Sequence, residues 1–350
     1  MGVRLRRIAV CALLVFAGGH AAGRAGEGAE GVVLSPRLSE SVEAGVAFLM
    51  GSQNPDGSWL TDGRTGRFPT AITALAGLAL LANGNTTYSG PHAEAVHRAV
   101  EFLVGQADAA TGLIGRADSA RPMFGHGYAM LFLAEVYGSE SEPALGARIG
   151  EALRGGVRLT AGSQGEAGGW YYDPGSDEDE GAVTVTQLQG LRACADAGIP
   201  VPAETVERAL AYVRSSARAD GGIAYRADGL GDSRPGITCA AVATMYAAGL
   251  YDDDMTARAL AFAVANTPRA APNPAGGAHF LYSHLYLSQV LYFQGGAAWR
   301  GYFDEVSEWL LEAQHEDGHW DGDYIGKAYG TAVALLVLQL PYNSLPVLQR

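Results

Sequence analysis

Six stretches of this chain are apolar on every side, and their recurrence limits the fold more than any other feature: Thr70 to Gly84, Met123 to Gly138, Ala182 to Gly198, Gly236 to Gly249, Ser283 to Gly295 and Tyr329 to Leu340. Each is rich in Ala, Leu, Val, Gly and Thr and nearly free of charge. The first five close on glycine, a residue that ends helices by adopting a left-handed conformation. A helix that is apolar all round must be buried all round. Amphipathic segments alternate with these. Ala93 to Gln106 sets Val96, Val100 and Leu103 against Glu94, Arg98 and Glu101. Ala203 to Ser215 repeats the pattern with Val206, Leu210 and Val213, and Tyr302 to Gln314 with Phe303, Val306 and Leu310.

Half-exposed and fully buried helices alternating with a period of about 50 residues are what two concentric layers require. Open solenoids use shorter repeats, roughly 33 to 47 residues, and keep a polar inner face. The lack of charge on the inner set predicts closure into a ring. The expected fold class is therefore all-α, an α/α toroid of about six helical hairpins. The extra length per repeat falls in Gly-rich connectors ahead of the inner helices, such as Asn54 to Phe68 and Glu166 to Gly181.

Those connectors carry a motif. It reads Gln53, Asn54, Pro55, Asp56, Gly57, Ser58, Trp59 near the start and Gln314, His315, Glu316, Asp317, Gly318, His319, Trp320 near the end. Weaker copies lie at Gln164 to Trp170, at Asp220 to Gly222 and at Gly276, Gly277. It resembles the Gln/Trp motif of squalene and oxidosqualene cyclases, and from about Leu38 onward the chain is similar at the repeat level to the squalene cyclase and protein prenyltransferase β-subunit superfamily. The motif's residues (Gln53, Asp56, Gly57, Trp59, Gln314, Asp317, Gly318, Trp320) are expected to be structural: Gln ends the outer helix, Asp-Gly turns, and the aromatic ring covers a seam.

Chemistry is expected where inner helices begin, because side chains there can point into the ring and backbone N–H groups are unpaired. Asp177, Glu178, Asp179, Glu180, Gly181, Ala182 resembles the Asp-x-Asp-Asp-Thr-Ala motif with which class II terpene cyclases protonate an alkene or epoxide. The resemblance implies that Asp179 is the general acid, crowded by Asp177 and Glu180. Glu180 replaces the motif's last Asp, and Gly181 its Thr. Four acids before a helix also suit a solvated cluster that favours the helix dipole.

A fainter likeness to the prenyltransferase zinc site places Cys239 and His284 at successive helix heads, but the aspartate position is Ile237, and Asp232 replaces it only if its loop folds back. No metal and no cofactor are expected. His126, between Gly125 and Gly127, reads as a residue that caps or bridges helices. With Tyr128, Thr184, Gln187, Cys239, His284, Tyr286 and Tyr329 it is expected to line a cavity that is aromatic with a few polar groups.

The N-terminus has the layout of an export signal: Arg4, Arg6 and Arg7, an apolar run from Ile8 to Ala17, then small residues around Ala21 to Ala25. The expected division is residues 1–25 as signal peptide and 26–350 as the toroid, exported to the periplasm or beyond. The apolar run is shorter than the roughly 20 residues of a spanning helix, so no transmembrane anchor is expected after cleavage. A net charge of −13 without a basic stretch beyond the signal argues against nucleic acid as partner. Cys194 and Cys239 read as small core residues. The sequence sets no oligomeric state.

Three functions fit. The favoured one is a non-catalytic ligand-binding or scaffold protein with an apolar, isoprenoid-like ligand, since no complete catalytic motif is present. The second is a class II cyclase-like enzyme using Asp179; family members pair two helical domains, whereas this chain has length for one ring. The third is a carbohydrate-active enzyme with a glycan ligand, drawing its carboxylates from Asp173, Asp177, Asp179, Glu180 and Asp323 and its stacking rings from Trp170, Tyr171, Trp320 and Tyr324.

Overall fold

The structure, a computed structural model, describes residues 35–60, 62, 67–118, 120–227, 231–269 and 279–342. The proposed signal segment and the weak motif copy at Gly276, Gly277 lie outside the described residues. Among the described residues twelve α-helices alternate in two layers. The outer layer comprises α1 (Pro36–Ser52), α3 (Ala93–Gly105), α5 (Pro143–Gly162), α7 (Ala203–Ser215), α9 (Asp254–Asn266) and α11 (Gly296–Ala313). The inner layer comprises α2 (Pro69–Ala82), α4 (Pro122–Tyr137), α6 (Gly181–Asp196), α8 (Pro235–Ala247), α10 (Phe280–Gln294) and α12 (Lys327–Leu338). Each apolar segment of the sequence is one inner helix.

Inner helices touch in order, α2 to α4, α6, α8, α10 and α12, and α12 touches α2, so the ring closes. Every residue of α2 is buried, while α3 buries only Ala95, Val96, Ala99, Val100 and Leu103. On α7 the buried face is Thr205, Ala209, Tyr212 and Val213, with the expected Val206 and Leu210 half-buried at its edge. The small residues set helix spacing. A methyl group at Gly127 of α4 would lie 2.8 Å from the Thr186 backbone of α6. Four of the five closing glycines have positive φ, between 67° and 82°; Gly138, the C-cap residue of α4, stays right-handed at φ −65°.

The connectors repeat one device around the ring. Gln53 Nε2 donates to Gly57 O in its own turn and to Ala95 O of the next outer helix; Gln164 does the same to Gly168 O and Thr205 O, and Gln314 to Gly318 O and Ser41 O. The turn glycine then packs on that neighbouring helix. Gly57, at φ 90°, faces the Arg98 carbonyl so closely that a Cβ would sit 2.2 Å from its oxygen, and Gly318, at φ 89°, faces Ala44 in the same way. Trp59, Trp170 and Trp320 are fully buried and donate Nε1–H to Leu49 O, Thr160 O and Leu310 O. The Gln of the last connector thus bonds to the first helix and closes the circle.

A second handshake covers the inner-helix N-termini, which would otherwise bury unpaired N–H groups. Among the described residues, five of the six are capped by the connector leading into the next inner helix. Thr70 N donates to Asp118 Oδ1, Met123 N to Tyr172 O, Gly181 N to Tyr225 O, and Lys327 N to Asp62 Oδ1. Asp323 meets the N–H groups of Phe280, Leu281 and Tyr282.

Candidate functional site: an acid and tyrosine mouth

These caps bring carboxyl groups to one end of the ring, and the inner helices add tyrosines there. Glu180 is the N-cap of α6, its Oε2 accepting from Val183 N at 2.7 Å, with 2% of its surface exposed. Burial pushes its carboxyl up to about 7, against the Val183 and Ala182 N–H groups and Arg121. Burial likewise raises Asp118 to about 7 and Asp323 to about 6, each against backbone N–H groups. Asp118 Oδ2 and Asp323 Oδ1 are buried without a hydrogen-bond partner.

The tyrosines form a continuous set. Tyr128 of α4 and Tyr286 of α10 meet OH to OH at 3.1 Å. Those helices stand on opposite sides of the ring, so this contact crosses its axis. Tyr282 packs edge-on against Tyr286 at 5.0 Å, and His279 edge-on against Tyr324 at 5.7 Å. The Arg121 guanidinium lies 4.3 Å over the Tyr172 ring, and the Tyr172 and Tyr225 hydroxyls are hydrogen-bonded. Burial raises Tyr128 to about 12 and Tyr282, Tyr286 and Tyr329 well above the usual phenol range; Glu180 adds to this at Tyr128, neighbouring tyrosines at Tyr286, tyrosines and Glu180 at Tyr282, and Asp323 with tyrosines at Tyr329.

Backbone strain gathers at the same place. Among the described residues, those other than glycine with positive φ are Arg121 at 52°, His279 at 70° and Asp323 at 50°. Arg121 and His279 are the N-caps of α4 and α10, and Asp323 covers the head of α10. Strained residues persist where their surroundings over-determine them, commonly at ligand sites. Beyond the Tyr128–Tyr286 contact, toward the helix C-termini, a cavity of about 30 Å³ is lined by Leu75, Leu131, Leu285 and Leu336. That holds a water or two, not a drug-sized ligand.

The acid cluster expected from sequence divides. Asp177 and Glu178 are exposed, whereas Asp179 and Glu180 are buried. Asp179 Oδ1 accepts from Tyr212 OH at 2.9 Å and from Ala227 N at 3.0 Å, which ties it to an outer helix and a connector. The group aimed at the tyrosines is Glu180.

The residues expected to line a cavity divide too. Tyr128, Tyr286 and Tyr329 reach the axis. His126 does not: its Nδ1 accepts from Ile114 N, and its Nε2 lies 3.1 Å from Thr160 Oγ1, in the seam between layers. It stands where Thr73 and Thr184 receive the N–H groups of Trp59 and Trp170. His284 bonds to Tyr302 OH and Pro268 O, and Cys239 Sγ lies 3.4 Å from Thr267 Oγ1. Gln187 donates to Met123 O between α4 and α6. These five residues, His126, Thr184, Gln187, Cys239 and His284, hold helices together instead of lining the axis. Burial drives Cys239 up to about 12, as suits a core thiol. Sequence reasoning passed over Asp118, Arg121, His279 and Tyr282. One signal was available, an acid shortly before several inner helices: Asp62, Asp118, Glu180 and Asp323.

No family model matches the chain, and no curated protein does. Solved structures do. The type II terpene cyclase MstE from Scytonema, bound to merosterolic acid A, superposes with a TM-score of 0.62 at 17% identity over 89% of this chain and 98% of that one. A GH76 alpha-mannanase from Bacteroides thetaiotaomicron superposes with a TM-score of 0.62 at 9% identity over 87% and 95%. A protein from Actinoplanes gives a TM-score of 0.57 at 19% identity over 88% and 99%. The chain therefore has the squalene cyclase-like α/α toroid fold, which GH76 (α/α)6 barrels also share. MstE is covered over nearly its whole length by this single ring. One ring is thus long enough for a type II terpene cyclase, and the length argument against that reading falls.

Proposed function

We propose that the protein is an exported, non-catalytic ligand-binding toroid whose ligand sits in the acid and tyrosine mouth. The carrying observation is the Tyr128–Tyr286 hydrogen bond across the axis, which bounds the mouth on its inner side and leaves the acids and tyrosines above it to meet a ligand. Its ligand has an apolar body, isoprenoid-like, for the tyrosine faces, and a hydrogen-bonding group for Glu180 or Asp118, which keep a proton near neutral pH. Among the described residues no helix is long and apolar enough to cross a membrane.

Glu180 supports a second reading. A buried carboxyl with a pKa near 7 among tyrosine rings is suited to donate a proton to an alkene, with the rings stabilising the cation. In that reading Glu180, not Asp179, is the acid. The test is mass spectrometry of small molecules that copurify with the protein, run beside turnover assays on an isoprenoid alkene panel. A bound apolar molecule without turnover supports the proposal. Products formed by the wild type and lost in Glu180→Gln overturn it in favour of the cyclase, and a bound glycan overturns it in favour of the carbohydrate reading.

A further inference from the structure

The last connector holds side chains that its motif does not need. With both its Gln and its Trp the turn occurs three times among the described residues, as Gln53 to Leu60, Gln164 to Tyr171 and Gln314 to Asp321. In the first two copies the second, sixth and eighth positions are Asn54, Ser58, Leu60 and Gly165, Gly169, Tyr171. In the last they are His315, His319 and Asp321. The backbone is the same in each: Asn54 N donates to Ser58 O, Gly165 N to Gly169 O, and His315 N to His319 O, at 2.9 to 3.0 Å. The fold therefore supplies no reason for two imidazoles and a carboxylate here.

Their atoms converge. His315 Nε2 lies 3.1 Å from Asp321 Oδ2, and His319 Nε2 lies 3.7 Å from Asp321 Oδ1. One ligand atom from each of the three residues falls within 4.8 Å of the other two. His319 is 4% exposed, and its Nε2 is buried without a hydrogen-bond partner. Its Nδ1 is hydrogen-bonded to Asp317 Oδ1, so Nε2 is the ring nitrogen left for another partner. That atom is buried and faces the Asp321 carboxylate, whose other oxygen faces His315 Nε2. A cation among the three would give the buried Nε2 the partner it lacks. A carboxylate behind a histidine is also the usual device for orienting a metal-bound imidazole.

We propose that His315, His319 and Asp321 bind a divalent transition-metal ion of the zinc type, with Asp317 positioning His319. Two imidazoles and one carboxylate suit zinc, cobalt or nickel and not magnesium or calcium, which prefer all-oxygen sites. Three protein ligands leave a fourth position for water, and half-exposed His315 and Asp321 leave the site open to it. The two imidazole planes stand 5° from parallel with centroids 4.1 Å apart. One ion cannot lie in both planes, so binding turns the half-exposed His315 ring out of the stack while buried His319 stays fixed. The bound ion would pin the connector that closes the ring, where Gln314 bonds to Ser41 of α1.

The test uses the full mature protein after chelator treatment, titrated calorimetrically with zinc chloride and, separately, with magnesium chloride. Expected are one saturable zinc site, a melting temperature that rises with zinc concentration, and no magnesium binding. Cobalt(II) should give visible absorption from a low-symmetry site. His315→Ala and Asp321→Asn, both at half-exposed positions, should keep the metal-free melting temperature and lose the zinc response and the cobalt band. Asp317→Asn should weaken zinc about tenfold. The proposal is overturned if the wild type shows no saturable zinc binding, as when His319 is simply an imidazolium between Asp317 and Asp321. It is equally overturned if both half-exposed variants bind as the wild type does.

Discussion

The seam between the helical layers and the axis of the ring are both buried, yet they treat polar groups in opposite ways. In the seam the polar groups are mostly paired with a neighbouring element, as His126 is with Ile114 N and Thr160, and His284 with Tyr302 and Pro268; Gln187 Oε1 and Trp299 Nε1 are exceptions. At the axis the groups outnumber their partners, and Tyr282 OH, Asp118 Oδ2 and Asp323 Oδ1 go without. Satisfied polar groups hold a structure together, whereas unsatisfied ones need a ligand or a function to explain them. The seam thus reads as the scaffold, and the axial mouth is where the proposed ligand would sit.

The largest effect that can break this comparison is in the seam. Replacing Trp59 or Trp320 by Ala removes a ring that is fully buried and whose Nε1–H is bonded. A stability loss of about 3 to 5 kcal/mol is expected for either, by chemical denaturation. Unchanged midpoints in both would show that the seam does not carry the fold.

Next in size is pH, because the two regions titrate in opposite directions. Burial lowers His126 and His284 from about 6.5 to about 4, so the unfolded chain takes up their protons first, and their share of stability is lost as pH falls through that window. Burial raises Glu180 from 4.5 to about 7, so the folded chain keeps a proton the unfolded chain gives up. Its share is lost as pH rises through 4.5 to 7. Glu180→Gln stays neutral throughout and should gain on the order of 3 kcal/mol over the wild type on going from pH 5 to pH 8. A difference independent of pH would place Glu180 in solvent.

The scaffold was legible in the sequence because its signals are periodic. Six stretches almost free of charge gave six inner helices, and Gln53, Gly57, Trp59 and their later copies gave the connectors. The direction of each inner side chain was not legible. A helix buried on every side has no polar face to mark the axis, so Tyr128 and His126, two residues apart, looked alike and yet point to mouth and seam. Asp179 and Glu180 were hidden for the same reason: adjacent acids in an extended connector point opposite ways, one to Tyr212 and one into the ring. Asp118 was missed because no motif marks it, although its place before Pro122 matches that of Asp323 before Lys327. The imidazoles of the last connector were read as part of a turn, and comparing that turn with its own earlier copies is what separates them from it.

A smaller effect sharpens the division between the adjacent acids. Asp179→Asn keeps an acceptor for Tyr212 OH and Ala227 N but gives up the charge on it, so a loss of about 1 kcal/mol is expected. Ligand binding should stay as in the wild type, while Glu180→Gln should change it. Loss of binding in Asp179→Asn alone would return the site to the residue that the sequence motif singled out.

An effect of similar size is expected at the axis itself. Tyr128→Phe removes one hydroxyl from the pair that spans the ring and leaves the aromatic packing in place. A hydrogen bond between neutral groups contributes about 1 kcal/mol net, and the Tyr286 hydroxyl left without its partner adds a desolvation cost of similar size. If the pair merely fills the core, the variant should lose roughly 1 to 2 kcal/mol, and ligand uptake should not change. If the pair is what closes the chamber, the loss in stability should be the same but uptake of long apolar molecules should rise, because the axis then opens from the mouth toward the small cavity beyond it. Calorimetric unfolding and uptake of a fluorescent polyene, measured on the same preparation, separate the two. Unchanged uptake would confine the ligand to the mouth, among Glu180, Asp323 and Tyr324.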